Sequence, residues 1–262
     1  MISLERRDGR PLVIGHRGAP ALAPENTLPS FRAALAAGVD LVEFDVVTLR
    51  AGELVVAHSD DLLEMSHGAV SGSIGALSFR ELRELCPELP SLDETLGFFA
   101  EEARDIGLHV DLKSTGAVDH VAAALERFGL VERTLVSSFH LGALRRLSRL
   151  EPRVRIGASF PQDRLGINER PGFRPVVTGS LRGLRLLAPA LVPVLLTRAR
   201  ATTLVLHHEL VTPAAVGRAH ARGAPVVAWT VDDPEELFRL TAAGVDAFVT
   251  NDPSRFVSTL KT

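Results

Sequence analysis

The chain has 262 residues, of which 46% are apolar and 23% charged, with a formal net charge of -3. This is the make-up of an ordinary globular protein long enough for one large core, and α/β barrels of about 250 residues commonly fold as single domains. The near-neutral charge, one Trp and no Tyr exclude the basic field and stacking platform with which proteins recruit nucleic acid.

Strand-like and helix-like stretches alternate to the end. Pro11–Gly15 reads as a short strand and Thr27–Ala37 as a helix stopped by Gly38. Leu41–Leu49 is the second strand, Ala51-Gly52 a turn, and Leu54–His58 the returning arm of a hairpin. Residues 59–90 are small, polar and irregular apart from a helical piece at Ser78–Leu85, and read as an insertion over one end of the domain. Ser91 and Glu94 have the spacing of a capping box and open the next helix. Strands follow at Leu108–Leu112, Thr134–Ser138 and Val154–Ala158, with helices at Ala117–Phe128 and Leu141–Leu150. Residues 161–180 carry scattered Pro, Gly and Asn and read as a loop. An apolar helix at Leu181–Ala199 is expected to bend at Pro189 and Pro193. Thr203–His207, Pro225–Val231 and Ala247–Thr250 complete the strands, with helices at Pro213–Ala221, Pro234–Ala243 and Ser254–Leu260.

About eight strands with intervening helices in this length favour a TIM (β/α)8 barrel over an open doubly wound sheet. No composition break divides the chain, so residues 1–262 are expected to form one domain with an insertion at about 59–90. The lone Cys86 forms no internal disulfide, and the start MISLERRDGRPLVIG lacks the apolar run of a signal peptide. The most apolar segment, Leu184–Thr197, holds two prolines and is too short to span a bilayer. A cytoplasmic protein without stable membrane insertion is expected.

Glu43 and Asp45 lie two apart in LVEFDVVTL and therefore share one strand face, while Val42, Phe44 and Val46 face the other way. Adjacent carboxylates repel, and burying them unpaired is costly. Either a cation sits between them or the strand is an edge with two solvated acids. His109, Asp111 and Lys113 share a face on the third strand. Glu43, Asp45 and Asp111 are hard oxygen donors that suit Mg²⁺ or Ca²⁺. His16 and His58 could move protons near neutrality, and Arg17 and Lys113 could hold a phosphate. His140, His207 and His208 read as structural or peripheral. Equally, a lone histidine can be structural and Lys113 can simply pair with Asp111.

With these residues in hand, the chain resembles the glycerophosphodiester phosphodiesterase family. The matching segments are IGHRGAPALAPENT at Ile14–Thr27, LVEFDV at Leu41–Val46, LVVAHSD at Leu54–Asp60 and HVDLKS at His109–Ser114. Further on are VSSF at Val136–Phe139, VVAWTVDDPEEL at Val226–Leu237 and GVDAFVTNDP at Gly244–Pro253. The resemblance implies a TIM barrel with an insertion after its second strand and metal-dependent hydrolysis of small-molecule glycerophosphodiesters to glycerol 3-phosphate and an alcohol. By position it implies Glu43, Asp45 and Asp111 as metal ligands, His16 and His58 as the acid/base pair, and Arg17 and Lys113 on the phosphate. Trp229 would line the substrate cleft, and Glu25 and Asn26 would hold the first loop, with Glu25 near the metal. The chain departs from the family pattern in four places: Asp111 replaces the usual glutamate, Asp232 replaces the asparagine after Trp-Thr-Val, the His-Asp after the hairpin is His58-Ser59-Asp60, and the Arg-rich continuation becomes LLEMSHG. Competing readings are a phospholipase D-type activity on lysophospholipids and a catalytically silent phosphodiester-binding module.

Overall fold

Alternation along the strands sorts side chains into two populations. The computed structural model describes residues 2–66, 68–162 and 174–260. In chain order the first half comprises β1 (Leu12–Gly15), α1 (Leu28–Ala37), β2 (Leu41–Thr48), β3 (Leu54–Val56), α2 (Leu62–Met65), α3 (Phe79–Leu85), α4 (Leu92–Glu102), β4 (Gly107–Leu112) and α5 (Val118–Arg127). The second comprises β5 (Thr134–Ser138), α6 (Leu141–Leu150), β6 (Arg155–Phe160), α7 (Arg174–Ala199), β7 (Thr203–His207), α8 (Pro213–His220), β8 (Val226–Trp229), α9 (Pro234–Ala243), β9 (Ala247–Thr250) and α10 (Pro253–Leu260). Eight strands run parallel in the order β1-β2-β4-β5-β6-β7-β8-β9, and β9 pairs with β1 to close the barrel. The fold is the TIM barrel that the alternation predicts. β3 pairs antiparallel with β2, matching Val46 to Val56, as the hairpin reading requires.

One population points outward. Val42, Phe44 and Val46 of β2 and Leu108, Val110 and Leu112 of β4 join the layer between barrel and helices. There Phe31 of α1 packs on Phe44 and Phe99, with ring centres 5.8 and 5.4 Å apart. Burying each such ring contributes about 1.5–3 kcal/mol. The other population fills the barrel. At the strand starts it is apolar: Leu12, Ile14, Leu41, Leu135, Val205, Val227 and Ala247, joined by Leu4 from the N-terminal segment. Gly157 fits here because a Cβ would come within 2.9 Å of Val205 Cγ2. Further along, the same inward rows turn polar. Register sets Glu43 beside His109, Asp45 beside Asp111, and Asp111 beside Ser137.

Local signals place the helices. Thr27 caps α1 through Ser30 N–H, and Gly38 ends it at φ 83°. Ser91 and Glu94 form the capping box of α4, and Ser78 and Glu81 form one on α3 within the insertion.

One expectation needs correcting. The expected loop at 161–180 is already helix from Arg174, because α7 begins seven residues before Leu181; residues 163–173 lie outside the described residues. Pro175 sits in the first turn, where a missing N–H costs no helical hydrogen bond. The helix also runs through Pro189 and Pro193. Gly179–Ala199 is therefore long and apolar enough, by length and composition, to cross a membrane, contrary to the estimate made from Leu184–Thr197. In the fold it packs against α6 and α8, burying Ala188, Val192, Leu196 and Ala199.

Candidate active site

The connection after β1 is built from residues in left-handed conformation. Arg17, Gly18 and Asn26 have φ of 50°, 89° and 58°. Gly18 is also required sterically, since a Cβ there would stand 2.4 Å from Ser30 Oγ. These turns aim the loop's donors at β2. Arg17 N–H donates to Glu43 Oε2 at 2.8 Å. Asn26 Nδ2 donates to Asp45 Oδ2 at 3.0 Å, while its Oδ1 accepts the Asp45 N–H at 3.3 Å. Glu25 receives both of its bonds from Arg17 Nη1, at 2.7 and 2.9 Å. Glu25 and Asn26 thus tie this loop to the guanidinium and to β2.

Glu43, Asp45 and Asp111 are 4%, 1% and 7% exposed and line one cavity. Such burial excludes the solvated edge strand. Lys113 Nζ lies between Asp45 Oδ1 at 2.7 Å and Asp111 Oδ2 at 2.8 Å. Arg17 Nε stands 3.2 Å from Asp45 Oδ2, close enough for ion pairing although its N–H makes no aligned hydrogen bond. Both cations expected on a phosphate therefore also neutralise acids. Burial alone would raise the Asp45 carboxyl, but Lys113 and Arg17 outweigh it and hold it below the usual carboxylate range. Among the described residues no cation lies within ion-pairing distance of Glu43, and Lys113 and Arg17 offset its burial only in part. Burial, then repulsion from Asp45, push its carboxyl well above the ordinary range.

The histidines differ in how they are held. His16 Nδ1 lies 2.6 Å from Asn251 Oδ1. Burial, reinforced by Arg17, lowers its pKa to about 4. His58 follows β3; its Nδ1 has no hydrogen-bond partner and stands 3.6 Å from Glu64 Oε1. Burial lowers its pKa too, against the opposing field of Asp45. His109 is fully enclosed, and desolvation takes it to about 4. Its Nε2 lies 2.9 Å from Ser137 Oγ, which donates to Asp111 Oδ1 at 2.6 Å. Ser137 therefore accepts from His109 and orients Asp111. Replacing Ser137 with alanine leaves the His109 donor without its acceptor and Asp111 Oδ1 without its donor, while Oδ2 keeps Lys113. A loss of about 1–3 kcal/mol of stability is expected, and thermal melting measures it; an unchanged midpoint would show that this chain of bonds contributes nothing.

Of the ten site residues singled out by sequence, eight line the same cavity of about 730 Å³; Glu25 and Asn26 do not. His140, His207 and His208, read as structural or peripheral, line it as well. Trp229 meets Phe139 and His207 edge-on, with centres 5.8 and 5.1 Å apart. Each of these histidines stands at the carboxyl end of its strand, where barrel active sites collect their groups, but no spacing pattern ties it to the acids, so the sequence alone set it aside.

The carboxylates do not form a closed cage as they stand, because Lys113 occupies the position between Asp45 and Asp111. Among the described residues, the three side chains whose ligand atoms already lie within 4.8 Å of one another are Glu25, His58 and Glu64. The donor set nevertheless fits a hard divalent ion. Glu25, Glu43, Asp45 and Asp111 bring four carboxyl groups to a site with two fixed positive charges, Arg17 and Lys113. The raised Glu43 carboxyl marks where compensation is lacking.

A glycerophosphodiester phosphodiesterase of Caldanaerobacter subterraneus is 26% identical over 266 residues, covering 95% of this chain and 98% of that one. Two solved structures share the fold. A glycerophosphodiester phosphodiesterase from Thermotoga maritima matches with a TM-score of 0.74 at 24% identity, over 95% of this chain and 98% of that one. An Oleispira antarctica phosphodiesterase, solved with the product sn-glycerol-3-phosphate, matches at 0.73 and 24%, over 96% of this chain and 97% of that one. A sequence profile of the glycerophosphoryl diester phosphodiesterase family matches residues 16–255, from the histidine of the first loop to the last helix, and the chain belongs to that family.

Proposed function

We propose that this protein hydrolyses glycerophosphodiesters to glycerol 3-phosphate and an alcohol, with a divalent cation and with His16 and His58 as acid and base. The supporting observation is the convergence of three buried carboxylates, two cations and these two imidazoles on one cavity. Glu43, Asp45 and Asp111 would hold Mg²⁺ or Ca²⁺. When bound, the ion would offset charge on the phosphate oxygens and recruit the substrate.

The chain's own groups supply the rest. Lys113 has three ammonium protons and gives two to Asp45 and Asp111, leaving one for a phosphate oxygen. Arg17 gives Nη1 to Glu25, which leaves Nη2 to face the same oxygen. The His16 Nδ1–H donates to Asn251, so Nε2 carries the lone pair. His16 therefore acts as base. It removes the proton of the attacking hydroxyl as the new P–O bond forms: attack by water gives glycerol 3-phosphate directly, whereas attack by the glycerol's own hydroxyl gives a cyclic phosphodiester that a water then opens to glycerol 3-phosphate. His58, on the hairpin arm, returns a proton to the departing alkoxide as the old P–O bond breaks. Trp229 and Phe139 wall the cavity beside them.

The test is a coupled assay for glycerol 3-phosphate with glycerophosphocholine and glycerophosphoethanolamine, in Mg²⁺ or Ca²⁺. Turnover is expected with either ion, lost on chelation and restored by adding the ion back. Full turnover in excess chelator would overturn the metal requirement. Choline release from lysophosphatidylcholine, without product from either soluble diester, would overturn the substrate class.

A further inference from the structure

The base His16 is held by a residue that is not in the cavity. Asn251 sits between them. Its Nδ2 donates to Asp232 Oδ2 at 2.6 Å, and its Oδ1 faces His16 Nδ1 at 2.6 Å. An amide can be turned over at little cost, so something must fix its orientation. Asp232 does so by chemistry. A carboxylate only accepts, so the amide nitrogen must face it and the amide oxygen must face the imidazole. Asp232 is itself pinned, because its Oδ1 accepts from Thr250 Oγ1 at 2.9 Å and from Asn251 N–H at 2.8 Å. The His16 main chain is tied to the same strand, through its N–H to Thr250 O at 2.9 Å.

We infer that Asp232 is a positioning residue that sets the tautomer of His16 through Asn251, keeping the proton on Nδ1 and the lone pair on Nε2. This rests on the reading of His16 as base. The logic is a two-step relay of hydrogen-bond polarity. Carboxylate at 232 fixes the amide at 251, and the amide oxygen fixes the imidazole. With asparagine at 232 the polarity is undone. Its Oδ1 is taken by the Thr250 and Asn251 donors, so its Nδ2 faces residue 251. Asn251 then turns its oxygen toward it and its nitrogen toward His16. The imidazole must accept at Nδ1, the proton moves to Nε2, and the base is lost. Moving the carboxylate to 251 restores the original order, because asparagine at 232 can donate to it while its other oxygen accepts from His16 Nδ1–H.

Two variants test this, Asp232→Asn and the double variant Asp232→Asn with Asn251→Asp. The readouts are the two ring-nitrogen shifts of His16 in a long-range proton–nitrogen NMR spectrum, and kcat and KM. Asp232→Asn is expected to convert His16 to the Nε2–H form and to lower kcat about 10²-fold, with KM little changed. The double variant is expected to recover both the Nδ1–H form and most of kcat. A wild-type tautomer in Asp232→Asn, or an Nε2–H ring in the double variant, overturns the inference. The spectrum is read without substrate, so it decides the relay even if His16 proves not to be the base; in that event the tautomer switches while kcat stays.

Discussion

Substituting alanine for His58 is expected to lower kcat by about 10²–10⁴-fold while leaving the fold and the metal affinity intact. The fold should tolerate it because the imidazole is half-buried and its Nδ1 has no hydrogen-bond partner among the described residues. His16→Ala should cost a similar factor. The pH profiles tell the two roles apart. A base must be neutral, so activity rises with pH through its pKa; an acid must be protonated, so activity falls through its pKa. Burial holds His16 near 4, so the base is already neutral through the physiological range. His58→Ala should therefore lose the alkaline limb and keep the acidic one, and His16→Ala the reverse. Calorimetric titration with Mg²⁺ or Ca²⁺ completes the test. A large loss of affinity in His58→Ala would move the ion to the set formed by Glu25, His58 and Glu64.

Why so much of this was readable before the structure comes down to period. A strand has a period of two, so Glu43 with Asp45 and His109 with Asp111 could be assigned to inward rows from spacing alone. Their register, Asp45 beside Asp111, follows once eight parallel strands close. The barrel itself was legible because β and α signals alternate, with clear helix signals at Gly38 and Ser91. Contacts between distant loops obey no period. The bond from Arg17 N–H to Glu43, the wedge of Lys113 between two acids and the relay through Asp232 depend on where closure brings segments far apart in sequence. The start of α7 was hidden for a different reason. Pro175 and Gly179 read as breakers, but a proline in a first turn breaks nothing.

Glu43→Gln should separate stability from activity in opposite directions. Glu43 is buried, and its carboxylate receives the Arg17 N–H at 2.8 Å. Burial and then Asp45 raise its pKa well above normal in the metal-free protein. The linkage sign follows. A carboxyl whose folded pKa is raised binds more protons folded than unfolded, so stability falls as pH climbs from the ordinary glutamate range through the raised value. The metal-free wild type therefore bears a cost that grows as the pH climbs toward the raised value and is complete above it. Glutamine keeps an oxygen for Arg17 N–H and removes the charge, while its amide can donate into a cavity rich in carboxylate oxygens. In chelator at neutral pH the variant should be more stable than wild type by roughly 1–3 kcal/mol, a rise of several degrees in melting temperature at this chain length. Added Mg²⁺ or Ca²⁺ should reverse the order, because the ion stabilises only the protein that binds it tightly. Turnover should fall with the lost affinity. The two melting curves should therefore cross as ion is added. A variant less stable than wild type in chelator, or one that gains as much from the ion, would show that Glu43 is a structural acid and not the uncompensated half of a metal site.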